Sequence, residues 1–302
     1  MPLASGLNSV VEKMSDVRKV TASSGAEWLM GGFALLRRSP FGFGALGAIF
    51  GLVAAALSFA GLASPALALV QQLVMMLAGP LLIGGLVWAA REVDQGRGTS
   101  PAQLLRGVQD GKAGRLLATL LPQLAAGLAA VLLLFVLVGP AALQSLVEAA
   151  ERAQGQANPD PALFADLPVG RLFLWLVLVV AIGIVAGFFT FTAIPDLMFS
   201  DTGAIAAMKR SFRICIANLP ALVLFFVLLV IAAVLLSIAV QVVGLVVRAI
   251  AGEHAMLLVV QVLLMAVLMP VVTGAMYLAW KQLIADVKPA ATPQGDNGVF
   301  EA

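Results

Sequence analysis

Six stretches of this sequence, at residues 41–62, 67–90, 116–138, 172–194, 219–246 and 255–280, contain no Asp, Glu, Lys or Arg. Each is long enough, at a rise of about 1.5 Å per residue, to cross about 30 Å of hydrocarbon as an α-helix. A helix is also the one open-ended conformation that satisfies its own backbone donors and acceptors where no water can. A transmembrane barrel strand would alternate apolar and polar residues over about 10 positions, and these runs do not alternate. Composition agrees: 61% of residues are apolar and 11% charged, against about a quarter charged in an average soluble domain. The expected fold is an all-α membrane protein of six transmembrane helices. Residues 1–24 are expected to be a disordered N-terminal segment, 25–287 the six-helix domain and 288–302 a disordered polar tail.

The connections fix an orientation. Lys13, Arg18, Lys19, Arg37 and Arg38 precede the first run, and Arg91, Arg97, Arg106, Lys112 and Arg115 follow the second. Lys209, Arg210 and Arg213 follow the fourth, and Lys281 and Lys288 the sixth. The alternate connections hold Arg152, Arg171 and Arg248 against Glu148, Glu151, Asp160, Asp166 and Glu253. The positive-inside rule then places both termini in the cytoplasm, for which a bacterial inner membrane is the expected setting. The first 40 residues lack an early apolar core, so no cleavable signal peptide is expected.

Short and long connections alternate, and a basic, amphipathic segment precedes each closely joined pair of runs. The first covers residues 26–38. The second begins at Ser100-Pro101, an N-cap followed by proline, and continues through Leu104, Leu105 and Val108 to Lys112 and Arg115. The third begins near Asp201-Thr202 and places Ile205, Met208, Phe212 and Cys215 on one face. Such segments either lie in the membrane interface or pack on the bundle ends. Pro80, Gly84 and Arg91 also match Pro270, Gly274 and Lys281 in spacing. The pattern predicts three hairpins, each led by an interfacial helix.

The stretch Arg18-Lys19-Val20, Gly25, Trp28-Leu29, Gly32 and Leu36-Arg37-Arg38-Ser39-Pro40 resembles the opening of a proteobacterial family of six-span membrane proteins without an assigned activity. The likeness extends more loosely over residues 17–287. In that family the motif lies near the start, which makes Met14 a candidate initiator beside Met1. The three-hairpin plan also resembles the membrane region of membrane-anchored glycerophosphodiester phosphodiesterases, but this sequence has no counterpart of their soluble catalytic domain.

Catalytic chemistry has little to draw on. There is one cysteine (Cys215), one histidine (His254) and one tyrosine (Tyr277), so no disulfide forms within the chain and no thiolate metal site fits. No cofactor or nucleic acid is expected. No ionisable residue lies well inside a run, which argues against proton-coupled transport. Polar groups inside the runs include Gln123, Thr190, Gln241, Gln261 and Thr273. They either bond between helices or line a cavity, with Gln241 and Gln261 placed to face each other near mid-membrane. Gly47-xxx-Gly51 and Gly183-xxx-Gly187 are close-packing motifs. Arg37, Arg38, Lys112, Arg115, Lys209, Arg210 and Arg213 either set topology alone or also meet anionic headgroups.

The expectation is therefore a non-enzymatic inner-membrane protein that organises, anchors or assists envelope components, with membrane lipids and a membrane or periplasmic protein as partners. The alternative is a lipid or small-solute transport component with a cavity between the hairpins.

Overall fold

The computed structural model describes residues 18–61, 64–153 and 168–285. Their ordered elements are helical: α1 (Ser24–Arg38), α2 (Pro40–Gly61), α3 (Pro65–Asp94), short turns between Pro101 and Leu120, α4 (Leu121–Leu137), α5 (Pro140–Ala153), α6 (Val169–Phe188), α7 (Ala193–Phe199), α8 (Ala204–Ala217), α9 (Leu219–Ala251) and α10 (Glu253–Trp280), which closes in a π-helical turn, Lys281–Ala285. Six helical segments are long and apolar enough to cross a membrane: Pro40–Phe59, Pro65–Asp94, Ala113–Leu137, Val169–Phe199, Leu219–Ala251 and Glu253–Ala285. This is a multi-pass, all-α membrane protein, and each expected run falls on one of these segments.

Local chemistry sets the boundaries. Prolines occupy the first turns of α3, α4 and α9, where a missing N–H costs nothing. The Ser64 hydroxyl accepts from the Leu67 N–H at 3.2 Å and caps α3. Gly252, at φ 86°, reverses the chain between α9 and α10, a conformation that a Cβ disfavours.

The spans pack in the pairs α2 with α3, α4 with α6, and α9 with α10. Helix α10 is the hub, touching α1, α2, α3 and α9. Gly47 and Gly51 permit the α2 crossing: a Cβ on Gly47 would stand 2.5 Å from the Met265 carbonyl oxygen and 2.7 Å from the Pro270 ring, and one on Gly51 2.8 Å from Met265 Cβ. This glycine pair is thus an intramolecular contact. Gly183 and Gly187 differ, since a Cβ on either meets nothing within 4 Å. The second glycine motif therefore makes no close contact among the described residues.

The core lies at one end, where the Lys and Arg-rich connections emerge. Trp28, Leu35, Phe43, Leu86, Leu116, Leu197, Cys215, Phe225 and Tyr277 are all buried there. Away from that end the spans expose their apolar side chains, and α4 buries none of its residues. In hydrocarbon this is no penalty, because lipid tails are as apolar as the side chains they touch.

The basic segments depart from expectation in two ways. The second is not one helix. It divides into Pro101–Leu105, Arg106–Gln109 and Ala113–Leu117, because Gly111 takes a left-handed φ of 68° and stops the chain. The first and third do form helices, α1 and α8, but each buries part of its apolar surface in protein, while Ile205 stays exposed. Trp28, Leu29, Met208 and Cys215 are all enclosed. The segment expected to be disordered, residues 1–24, lies outside the described residues up to position 17. From Arg18 onward it is tied down: the Val20 N–H donates to Asn218 Oδ1 at 2.8 Å and Arg18 donates to the Gln282 carbonyl at 2.9 Å. The tail 288–302 lies outside the described residues.

Helix α1 sits on backbone. A Cβ on Gly25 would stand 2.0 Å from the Ala221 carbonyl oxygen, and one on Gly32 2.3 Å from that of Val271. Gly25→Ala and Gly32→Ala should each destabilise the folded chain by about 1–3 kcal/mol through overpacking. Gly79→Ala, where nothing lies within 4 Å, should be neutral or stabilising by up to about 1 kcal/mol. Thermal unfolding in detergent checks the contrast; equal shifts in all three would refute the close approach.

Candidate functional site

The basic end is built by seating each connection on the pair of spans before it or, for α1, on the last pair. Helix α1 packs on α9 and α10. The Pro101–Leu105 turn packs on α3 and α2, with Gly85 against the backbone of Leu104. Helix α8 closes the end of α6: the Ser211 hydroxyl donates to the Phe188 carbonyl at 2.7 Å, and the Cys215 thiol points at the same oxygen at 3.5 Å. That carbonyl belongs to the last turn of α6, where intrahelical donors run out. Burial pushes the Cys215 thiol up to about 12, although the Ser211 hydrogen bond pulls the other way. The group is a buried thiol, inert at neutral pH.

Three carboxylates organise this end. Asp94 accepts from Lys281 Nζ at 2.7 Å and the Tyr277 hydroxyl at 3.0 Å, with Arg38 at 3.6 Å. Asp196, 1% exposed, meets Arg210 at 3.2 Å and the Trp280 indole N–H at 3.4 Å. Glu92 takes a two-pronged contact from Arg97, at 2.5 and 2.6 Å. Around them Arg91 lies over the Trp88 and Phe199 rings at 5.5 and 5.0 Å, and Arg106 over Trp88 at 4.9 Å. Sequence reading singles out none of Glu92, Asp94 and Asp196. The available signal was acidic residues at the ends of apolar runs, next to cations one turn or a few residues away.

The seven candidate headgroup cations separate into two groups. Arg38 and Arg210 are engaged by Asp94 and Asp196, and Arg115 stands 3.8 Å from Asp201. Lys112 donates to the Met198 carbonyl at 2.6 Å, and burial, then the Arg115 charge, lowers its pKa from the ordinary lysine value. Arg37, Lys209 and Arg213 are exposed and make no ion pair among the described residues. They share helix faces with outward apolar groups: Arg37 with Met30 and Phe33 on α1, and Lys209 and Arg213 with Ile205 and Ile216 on α8.

The five intramembrane polar candidates do not converge. Gln123 reaches Thr190 at 3.4 Å, and Thr190 in turn donates to the Gly187 carbonyl at 3.1 Å. Thr273 donates to the Met269 carbonyl of its own helix at 2.7 Å. Gln241 is exposed and no hydrogen bond joins it to the half-buried Gln261. The reason is rotational. Val240 and Gly244 are the buried positions of this stretch of α9, with Gly244 against Val260 and Met256 of α10. Gln241 is turned about 100° away from Val240.

Comparison with known proteins places the chain in a family without an assigned role. It belongs to the family described as domain of unknown function DUF7847, whose model matches residues 26–283. The match starts in α1 and ends in the turn after α10, so it reaches all six spans. No curated protein and no solved structure matches the chain.

Asp196 gives the basic end its most exacting electrostatic demand. Arg210→Met should cost about 1–3 kcal/mol by leaving a buried carboxylate short of a donor. The double change Arg210→Met with Asp196→Leu should recover part of that loss, since apolar groups can replace both partners. Unfolding midpoints of the single and double variants decide it; a double variant less stable than Arg210→Met alone would count against the pairing.

Proposed function

We propose that the chain is a non-enzymatic accessory or anchoring protein of a bacterial inner membrane, with both termini cytoplasmic, which meets acidic lipid headgroups along its basic end. The observation that supports this reading is the outward stripe of α1 and α8. Met30, Phe33 and Arg37 share one outer face, and Ile205, Lys209, Arg213 and Ile216 another. An exposed apolar group beside an exposed cation on one helix face is what the boundary between acyl chains and phosphates favours. Each such cation near an anionic surface is worth about 1 kcal/mol. The outward face overlaps the one that sequence spacing suggested only in part: Ile205 stays outward and Ile216 joins it, whereas protein covers Met208 and Cys215.

The seating of the three basic segments supports a threefold repeat of interfacial segment and hairpin, in keeping with the resemblance to proteobacterial six-span proteins. The transport alternative called for a cavity lined by glutamines and threonines. Gln241 faces outward and Thr273 bonds within its own helix, so that alternative has the weaker support.

Two experiments test the proposal. Arg37→Glu combined with Arg213→Glu should lower the acidic share of co-purified phospholipid several-fold without changing the fold. An unchanged lipid composition would sink the reading. For topology, Cys215 is buried and silent from either side, so it can stay in place as a non-reacting background. Cysteine at Ala251 should then react with an impermeant maleimide in intact cells, and cysteine at Gln109 only after permeabilisation. The reverse pattern would invert the orientation.

A further inference from the structure

Resting on the lipid-contact reading, we propose that a cleft between α4, α6 and α8 seats one acidic glycerophospholipid from the leaflet at the basic end, with an acyl chain along α4 and α6 and its phosphate at Lys209. The cleft has a volume of about 520 Å³, and Ala125, Ala129, Ile182, Phe189, Met208 and Lys209 are among its lining residues. That volume falls within the range of about 300–1,000 Å³ found for small-molecule sites.

Three features select the occupant. The walls are apolar and lie in the spans, so the bulk of the ligand must be hydrocarbon. From Leu121 to Ala129 the cleft follows α4 for about 12 Å, most of one leaflet's share of a core about 30 Å thick. The sole charged lining residue is Lys209, exposed at the mouth and outside every ion pair of the described residues, and Arg213 stands one turn further along the same helix. A cation at the head of an apolar trough complements a phosphate joined to an acyl chain.

The cleft is also held open by contacts that do not fill it. The Trp175 indole donates to the Ala130 carbonyl at 2.9 Å and ties α6 to α4 further out. Phe189 stacks on Phe212 at 4.4 Å and fixes the wall nearest α8. Between them α4 presents alanines where larger side chains would close the space. Met208 adds an adaptable, unbranched surface.

The test uses the full chain purified in mild detergent from vesicles of equal phosphatidylglycerol and phosphatidylethanolamine, with bound lipid counted by native mass spectrometry. The wild type should retain one phosphatidylglycerol per chain. Lys209→Gln should reduce that occupancy at least several-fold, and Ala129→Trp should abolish it while leaving Arg37 and Arg213 in place. In wild-type vesicles containing phosphatidylglycerol with a photoreactive acyl chain, adducts should map to α4 and α6 between residues 121 and 129 and between 182 and 189. This last arm needs no variant to fold. Equal retention of the two lipids, full occupancy in Ala129→Trp, or adducts spread evenly over all six spans would each overturn the cleft. Loss of acidic lipid in Arg37→Glu/Arg213→Glu with full occupancy in Ala129→Trp would leave the headgroup-contact reading standing and remove the cleft alone.

Discussion

Hydrocarbon gives helices no reason to prefer each other over lipid through burial alone, so six apolar spans must draw their tertiary arrangement from close packing and from polar contacts at the membrane boundary. This chain concentrates both at one end. Asp94 joins the end of α3 to the end of α10 through Tyr277 and Lys281, and Asp196 joins α7 to α8 and α10 through Arg210 and Trp280. Asn218 ties the chain near Arg18 to the start of α9 by accepting from Val20 and donating to the Arg18 carbonyl. The cations on the two aspartates, Lys281 and Arg210, stay partly exposed, while the carboxylates they meet fix the geometry. The spans then leave this end as outward-facing rods.

The close contacts follow the same division. Gly25, Gly32, Gly47 and Gly85 bring backbone against backbone or against a proline ring, and all four lie in or near the basic end. Close approach multiplies small dispersion gains, which are the main packing force left when the hydrophobic term vanishes. The hub role of α10 has the same origin. Its residues Val271 and Ala275 face α1, its Met265 and Pro270 face α2, and its Tyr277 reaches α3.

Much of this was legible in the sequence, because hydrocarbon thickness and backbone satisfaction are constraints that a run of uncharged residues answers directly. Six spans could be read that way; the glycine motifs could not, since Gly47 and Gly51 meet α10 while Gly183 and Gly187 meet nothing within 4 Å. Rotation could not. Whether a helix turns Gln241 or Val240 to its neighbour depends on the partner surface, and in a uniformly apolar helix no amphipathic period reports it. The same blindness left open whether the face of Met208 and Cys215 meets lipid or protein: a face apolar enough for the interface is apolar enough for a core. Only the cations separate the cases, and Arg38 and Arg210 show that a basic residue at a span end can serve a buried carboxylate as readily as a headgroup. The break at Gly111 was hidden for another reason. Glycine is compatible with a helix, and its positive φ is imposed by the need to turn Leu116 back onto Gly84 and Gly107.

The pair α4 and α6 tests this account of the fold from the other side. It lacks an equivalent of the α10 hub, and its attachment to the remainder runs through the turns before α4, through α7 and through α8. Nothing in the apolar spans themselves compels this pair to close against α3 or α9, because lipid satisfies its outer surface equally well. Its inner surface near α8 is different, since Ala125, Ala129 and Phe189 line an open cleft with Met208 and Lys209 of α8. An acyl chain there loses contact with fluid lipid and gains contact with fixed walls, so its retention depends on shape and on the cation at the mouth rather than on apolarity.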